Sequence, residues 1–244
     1  MEPPAKRARR TKKAADGGDA SAAPAPAAPP RLLFDGPEDA PLTVALAHGA
    51  GAPMDSGFMN VVTRGLAERG LRVARFEFPY MARRREGGKR GAPDSPRVLE
   101  ETWLAVIDAL GGGRDLVIGG KSIGGRIASH VADRAHLNGP VRGLVCMGYP
   151  FHPPGQPQKL RTAHLAELHT PTLILQGTRD DFGNRDDVAG YALSPAIRVH
   201  WLEGGDHSFK PLKASGRTER QNVEEAIATA ADFALSLPPP DLSG

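Results

Sequence analysis

Short apolar runs alternate with longer segments of helical periodicity from about residue 41 onward. The runs are apolar throughout, as in strands that are covered on both faces of a sheet. The predicted strands span residues 43–48, 72–78, 115–120, 141–148, 171–177 and 197–204, and the main predicted helices span residues 58–70, 96–110, 123–136 and 220–237. This alternation predicts an α/β fold, a doubly wound and mostly parallel sheet with helices on both faces.

The two ends of the chain lack this pattern. Residues 1–40 are predicted to be a disordered tail, because a basic cluster followed by an Ala/Pro-rich stretch offers too few apolar residues for a core. The α/β domain is assigned to residues 41–238, and a short C-terminal tail to residues 239–244. No internal repeat or linker divides the domain. About 200 residues are ample for one hydrophobic interior.

The net charge of +3 is concentrated near the N-terminus. Residues 1–31 hold seven of the 31 basic residues and three of the 28 acidic ones, which leaves −1 for the rest. A domain so close to neutral gives no indication of nucleic-acid binding. The single cysteine, Cys146, excludes an intrachain disulfide and a cysteine-based zinc site, as is typical of a reducing compartment. No stretch reaches the ~20 apolar residues of a membrane span. We therefore expect an intracellular protein, cytoplasmic, nuclear or both, without a membrane partner.

The basic cluster in the tail has more than one interpretation. Its cationic residues fit a nuclear-import signal that an import receptor would bind; they are Lys6, Arg7, Arg9, Arg10, Lys12 and Lys13. They fit a solvated tail without a targeting function equally well. A transit peptide is less favoured, because the segment has little serine and contains acidic residues.

A G-x-S-x-G motif provides the first candidate for chemistry. It comprises Gly120, Ser122 and Gly124, with an apolar run before it and a helical segment after it. A strand–turn–helix with serine at its apex is the nucleophile elbow of hydrolases. An ordinary glycine-rich turn of a nucleotide-binding protein is the alternative. It is disfavoured because the phosphate-binding glycine motifs of such proteins are absent.

A nucleophilic serine needs a base that is oriented by an acid, in the chain order serine, acid, histidine. Asp180 follows the strand predicted at 171–177, and His207 follows the strand predicted at 197–204. The carboxyl ends of parallel strands meet at one edge of a sheet. Ser122, Asp180 and His207 are therefore predicted to form a catalytic triad. Asp181 and Asp206 remain alternatives for the acid.

Backbone donors for an oxyanion are expected beside the serine. One is the N–H of Ile123, the residue after the nucleophile, and the other is the N–H of Ala50 or Gly51 in the loop after the first long strand. His48, in the same loop, is expected to be a structural hydrogen-bonding residue. This chemistry requires neither a metal nor an organic cofactor.

The predicted site lacks a large cap domain. Residues 149–170, between two consecutive strands, are too few for one. We expect an open site for a small-molecule acyl substrate, with the loops at 79–95 and 150–162 as its walls.

Several segments together resemble one α/β-hydrolase family. They read LAHGAGAPMDSGFM, VARFEFPYMARRR, LVIGGKSIGGRIAS, LVCMGYPFHPPGQPQKLRTAHL, LILQGTRDDFG and GGDHSFK. The family includes the testis-expressed protein thirty, the third regulatory subunit of a non-specific-lethal acetyltransferase complex and many bacterial predicted hydrolases. It is similar more broadly to dienelactone-hydrolase-like enzymes, many of which have cysteine where this chain has Ser122. The resemblance implies that Ser122, Asp180 and His207 are the triad. At Asp181 the relatives often have proline.

These features predict a serine hydrolase that cleaves an ester, thioester or related acyl bond through an acyl-enzyme. The resemblance leaves a different role open, because some animal relatives look like non-enzymatic subunits of nuclear complexes. A ligand-binding protein that retains the triad is a third alternative. Labelling by a serine-directed probe would discriminate between enzyme and binding protein.

Overall fold

The computed structural model, which describes residues 30–89, 91–113, 115–134 and 139–238, has a seven-stranded sheet at its centre. The strands are β1 (Leu33–Asp35), β2 (Thr43–Ala47), β3 (Arg72–Phe76), β4 (Leu116–Lys121), β5 (Gly143–Met147), β6 (Thr172–Gly177) and β7 (Ile197–Leu202). Their order across the sheet is β1-β3-β2-β4-β5-β6-β7. β1 is antiparallel to β3, and the other neighbouring pairs are parallel. The predicted mostly parallel sheet is therefore confirmed.

Helices cover both faces of this sheet. They are α1 (Gly57–Ala67), α2 (Pro79–Arg85), α3 (Pro96–Ala109), α4 (Ile123–Val131), α5 (Arg185–Ala189) and α6 (Glu219–Ser236). The helices α1 and α6 contribute to one hydrophobic core, and α3 and α4 contribute to the other. The doubly wound fold is thus confirmed, and the described residues include no large cap domain.

The central strands show why the predicted strands are apolar throughout. Val117 and Ile118 are neighbours in β4, and both side chains are fully buried. Successive side chains of a strand point to opposite faces, and these two belong to different cores. Full burial of such an aliphatic side chain contributes roughly 1.5–3 kcal/mol. Both faces of β4 therefore select apolar residues.

The edge strand β1 lies inside the segment that was predicted to be a tail. It pairs with β3, and Asp35 accepts a 2.6 Å hydrogen bond from the buried guanidinium of Arg75. The sheet therefore includes a short strand that precedes residue 41, where the domain was predicted to begin. A three-residue strand is too short to show a periodic pattern. The remaining tail predictions, for residues 1–29 and 239–244, lie outside the described residues.

The polypeptide after β3 also differs from the expectation of a simple loop. Residues 79–85 form α2, which begins with proline in its first turn, where proline is favoured. Tyr80 and Met81 are buried in the core, while Arg85 bonds Glu77 and Asp55.

Among the described residues, no helix is both long and apolar enough to cross a membrane.

Candidate active site

Ser122 occupies a sharp turn between β4 and α4. Its φ of 53° and ψ of −119° are unusual for a residue other than glycine. The flanking glycines allow this turn: a Cβ on Gly120 would lie 2.2 Å from the carbonyl oxygen of Ala47, and a Cβ on Gly124 would lie 2.6 Å from the same atom. The strand–turn–helix that the motif predicts is therefore present, with serine at its apex.

Two hydrogen bonds join the serine to a histidine and an aspartate. His207 Nε2 lies 2.9 Å from Ser122 Oγ, and His207 Nδ1 lies 2.8 Å from Asp180 Oδ2. The three residues follow β4, β6 and β7, so each comes after the carboxyl end of a parallel strand. The structure thus brings together the three side chains that the sequence singled out.

Asp180 is fully buried, and its carboxylate has several donors. Oδ1 accepts a 2.9 Å bond from the backbone N–H of Phe182, and Oδ2 accepts a 2.9 Å bond from Gln176 Nε2. Gln176 is itself held by the backbone of Tyr149, whose N–H donates to its Oε1. Buried carboxylates need such partners, and these fix the carboxylate against His207.

The two alternative acids lie elsewhere. Asp181 is exposed to solvent. Asp206 Oδ1 accepts bonds from the backbone N–H groups of Ser208 and Lys210, at 2.8 and 3.0 Å. That carboxylate stabilises the turn that carries His207. The hydrogen-bond partner of the imidazole is Asp180.

The imidazole of His207 is held on two further sides. The ring of Phe182 lies 4.2 Å from it, centroid to centroid. Gly148 lies on another side of the ring, so close that a Cβ added to this glycine would be 3.3 Å from His207 Cε1. Because Nδ1 faces a carboxylate, we assign the proton to Nδ1 and leave Nε2 free to accept from Ser122.

Lys121 is a site residue that the sequence reasoning missed. Its Nζ donates a 2.7 Å hydrogen bond to the carbonyl oxygen of His207 and lies 6.0 and 5.9 Å from the ring centroids of Phe58 and Phe209. Burial lowers the pKa of Lys121 to about 8, against the opposing effect of nearby Asp180 and Asp206. Its position inside the G-x-S-x-G motif was the available signal.

The residues predicted to donate hydrogen bonds to an oxyanion lie close to Ser122. Ala50 and Gly51 line the same cleft as Ser122, and Ile123 is the first residue of α4. A helix N-terminus presents unpaired N–H groups to a negative charge. Donation from these groups to a substrate oxygen stays a prediction.

His48 supports this loop from beneath, as expected. The ring is fully buried, its Nε2 accepts a 3.2 Å bond from the N–H of Phe78, and its Nδ1 lies 2.7 Å from the carbonyl oxygen of Gly49. Burial lowers the pKa of His48, which favours the neutral ring that this pattern requires. His48 is therefore a structural residue of the loop.

Ser122 opens into a cleft of about 450 Å³. The residues that line it are Gly49, Ala50, Gly51, Ala52, Ser56, Phe58, Met59, Lys121, Ser122, Phe182, His207, Ser208 and Glu219. The expectation that the loops at 79–95 and 150–162 form its walls is wrong. In the first segment, the buried ring of Tyr80 and the ion pair of Arg85 with Glu77 hold α2 away from the cleft. In the second segment, Phe151 and His152 are buried. In the part of the chain that is described, no group of histidine, cysteine and acidic residues is arranged to hold a metal ion.

Comparison with known proteins is consistent with this architecture. Residues 40–235 match the model of a family described as alpha/beta hydrolase domain. A dienelactone hydrolase from Anabaena variabilis is 20% identical, with a TM-score of 0.63 over 84% of this chain and 91% of that one. An alpha-beta serine hydrolase homologue from Coxiella burnetii is also 20% identical, with a TM-score of 0.60 over 81% of this chain and 90% of that one.

A third solved structure, from Xanthomonas campestris, is described as an a/b serine hydrolase without lid. It is 18% identical, with a TM-score of 0.61 over 86% of this chain and 90% of that one. At such identities the likeness to these structures shows a shared fold.

Proposed function

The chain belongs to the alpha/beta hydrolase domain family, and from that membership we propose that it is a serine hydrolase that cleaves an ester, thioester or related acyl bond. The observation that carries the proposal is the continuous hydrogen-bonded chain from Ser122 through His207 to Asp180. A serine hydroxyl is a weak nucleophile until an oriented base accepts its proton. The geometry supports that role for His207, because its second nitrogen faces a buried carboxylate.

The proposed reaction proceeds in two halves. Ser122 Oγ attacks the acyl carbon while its proton passes to His207 Nε2, and the tetrahedral intermediate collapses as the imidazolium protonates the leaving alcohol or thiol. Water then attacks the acyl-enzyme, giving its proton to His207. The carboxylic acid departs and the proton returns to Ser122. Asp180 stays ionised and stabilises the transient imidazolium.

The developing oxyanion is assigned to the backbone N–H of Ile123 together with that of Ala50 or Gly51. Removing one such donor typically costs about 3 kcal/mol of transition-state stabilisation. The cleft beside Ser122 is broad and open, and the Xanthomonas campestris protein of the same fold is described as lacking a lid. We therefore infer a small or surface-accessible acyl substrate.

A narrower kinship is part of the proposal. The combined segments at residues 46–59, 73–85 and 144–165 support membership of the group that includes the testis-expressed protein thirty. That kinship leaves the acyl substrate to be identified by experiment.

The test is labelling by a fluorophosphonate probe, which reacts with activated serines. We expect the wild type to be labelled and Ser122→Ala to be unlabelled. Asp180→Asn is expected to slow labelling about 10³–10⁴-fold, because the imidazole loses its orienting acceptor. Asp181→Asn is the matched control and should react within about twofold of the wild type. Labelling that persists in Ser122→Ala, or a folded wild type that is not labelled, would refute the proposal.

A further inference from the structure

Helices α1 and α6 touch closely at one point. A Cβ on Gly65 of α1 would lie 2.8 Å from the side chain of Ile227 on α6, so a larger residue at position 65 would force that side chain to move. Each helix follows a parallel strand, α1 after β2 and α6 after β7. Their N-terminal turns therefore lie toward the carboxyl edge of the sheet, where Ser122 also lies.

The N-terminal turns are not in such close contact. Between them lies a groove of about 560 Å³, lined by Gly57, Phe58 and Val61 from α1 and by Glu219, Arg220, Val223 and Glu224 from α6. Val61 is 51% exposed. The lining does not include Gly65 or Ile227, which meet further along the two helices. From Phe58 to Gly65 the helix rises about 10 Å, which is the reach available to an occupant.

This groove is continuous with the cleft at Ser122. Phe58 and Glu219 line both spaces. The ring of Phe58 packs against the fully buried ring of Phe209, at 5.8 Å between centroids. An extended molecule at Ser122 that passes over Phe58 therefore enters the groove.

We propose that the groove between the N-terminal turns of α1 and α6 binds an unbranched, neutral apolar chain of the ester whose carbonyl lies at Ser122. This inference rests on the proposed serine-hydrolase function and specifies its substrate class. The chain is on either the acyl or the alcohol side of the ester. Burial of each methylene in the groove provides the binding energy.

The charges around the groove favour a neutral chain. Glu219 lines both the groove and the cleft, and Glu224, which also lines the groove, pairs with Arg220 at 3.8 Å. Lys121, the cation that lines the adjoining cleft, donates to the carbonyl oxygen of His207. A chain that ends in a carboxylate would therefore meet two carboxylates, Glu219 and Glu224, against a single cation, Arg220, that already pairs with Glu224.

The test is the dependence of kcat/KM on chain length in two series of esters. The acyl series is p-nitrophenyl acetate, butyrate, hexanoate and octanoate, and the alcohol series is ethyl, butyl, hexyl and octyl acetate. For the wild type we expect kcat/KM to rise along one series by roughly twofold per methylene, as half-burial of each methylene predicts. The series that rises identifies the side of the ester that carries the chain.

Gly57→Trp is expected to abolish this rise. A Cβ on Gly57 has no heavy atom within 4 Å, so the indole can fill the groove. We expect kcat/KM for the longest favoured ester to fall about tenfold, while that for p-nitrophenyl acetate stays within about twofold. Gly91→Trp is the matched control, because a Cβ on Gly91 is equally free and the residue lies outside the groove. It should keep the wild-type slope.

A second variant covers the case in which Gly57→Trp does not fold. Val61→Asp changes a half-exposed residue and is expected to lower the same slope by adding charge to the groove wall. A wild type that hydrolyses p-nitrophenyl acetate without any chain-length dependence would overturn the groove and leave the hydrolase standing. So would an unchanged slope in both variants, or a wild-type dimer that Gly57→Trp dissociates. Loss of both probe labelling and hydrolysis in the wild type would overturn the hydrolase itself.

Discussion

Helix α4 has a serine–histidine hydrogen bond near each of its ends. Ser122 precedes the helix and lies 2.9 Å from His207 Nε2. Ser129 lies in its last turns, and its Oγ is 2.8 Å from the Nε2 of His164. By distance alone the two pairs are equivalent. Their surroundings differ in every respect that matters for a nucleophile.

The two pairs differ first in which residue donates the hydrogen bond. Ser129 Oγ donates to the carbonyl oxygen of Arg126 at 2.6 Å, so His164 is the donor in this pair. Ser122 Oγ instead donates to an imidazole nitrogen whose partner nitrogen faces Asp180. Ser129 is also buried, whereas Ser122 lines a cleft.

The histidines differ in their neighbours as well. Burial, followed by the nearby His130 and Arg126, lowers the pKa of His164 to about 4. The ring of His130 is 4.2 Å away, centroid to centroid. An imidazole surrounded in this way resists protonation and is a poor base near neutral pH. The comparison shows that a short serine–histidine contact is insufficient without an oriented base and an accessible nucleophile.

The largest expected effect comes from exchanging each histidine in turn. His207→Gln should lower kcat/KM for p-nitrophenyl acetate by at least about 10³-fold, because no base remains for Ser122. His164→Gln should keep kcat/KM within about threefold of the wild type. Steady-state kinetics of the two purified variants decide the matter, and comparable losses in both would contradict the assignment of Ser122 as the nucleophile.

A smaller effect is expected from Lys121, which bonds the backbone of only one of the two histidines. Lys121→Met removes the donor to the carbonyl oxygen of His207 and should lower kcat/KM about tenfold. The wild-type rate should decline as pH rises through about 8, when the ammonium loses its charge. That decline should be absent from the pH profile of Lys121→Met. An identical profile in both proteins would mean that Lys121 is merely structural.

The smallest expected effect concerns stability at low pH and belongs to the second pair. Because the pKa of His164 is about 4 in the fold and about 6.5 when exposed, the unfolded chain alone binds this proton between those values. The free energy of unfolding therefore falls as pH decreases from about 6.5 to about 4. Solvent screening of the partly exposed ring limits the loss to about 1 kcal/mol. His164→Gln should lose correspondingly less in urea denaturation at pH 7 and 4.5, whereas parallel losses would exclude His164 as the source.

The first of these pairs was predictable from the sequence, and the reason is geometric. Ser122, Asp180 and His207 each follow a buried strand, and parallel strands bring their carboxyl ends to one edge. The long strands were recognisable because both of their faces are buried, as Val117 and Ile118 show. Local pattern and sheet topology together were enough to place the site.

Other features depend on contacts that a local pattern does not encode. The role of Lys121 arises from a bond to a residue 86 positions away. The cleft walls depend on the ion pairs of Arg85, which hold α2 aside. The edge strand β1 is only three residues long, and the groove lies between two helices that are far apart in sequence. Each of these is fixed by tertiary packing.

The backbone torsion of Ser122 has a consequence for how the protein can be monitored. A residue other than glycine at such a φ costs about 1–3 kcal/mol, which the surrounding fold must supply. Once β4 and α4 separate, the residue relaxes to an ordinary conformation and its hydroxyl leaves His207. The reactivity of Ser122 therefore requires the native tertiary structure. The fraction of protein that still reacts during heating or ageing should equal the fraction that remains native.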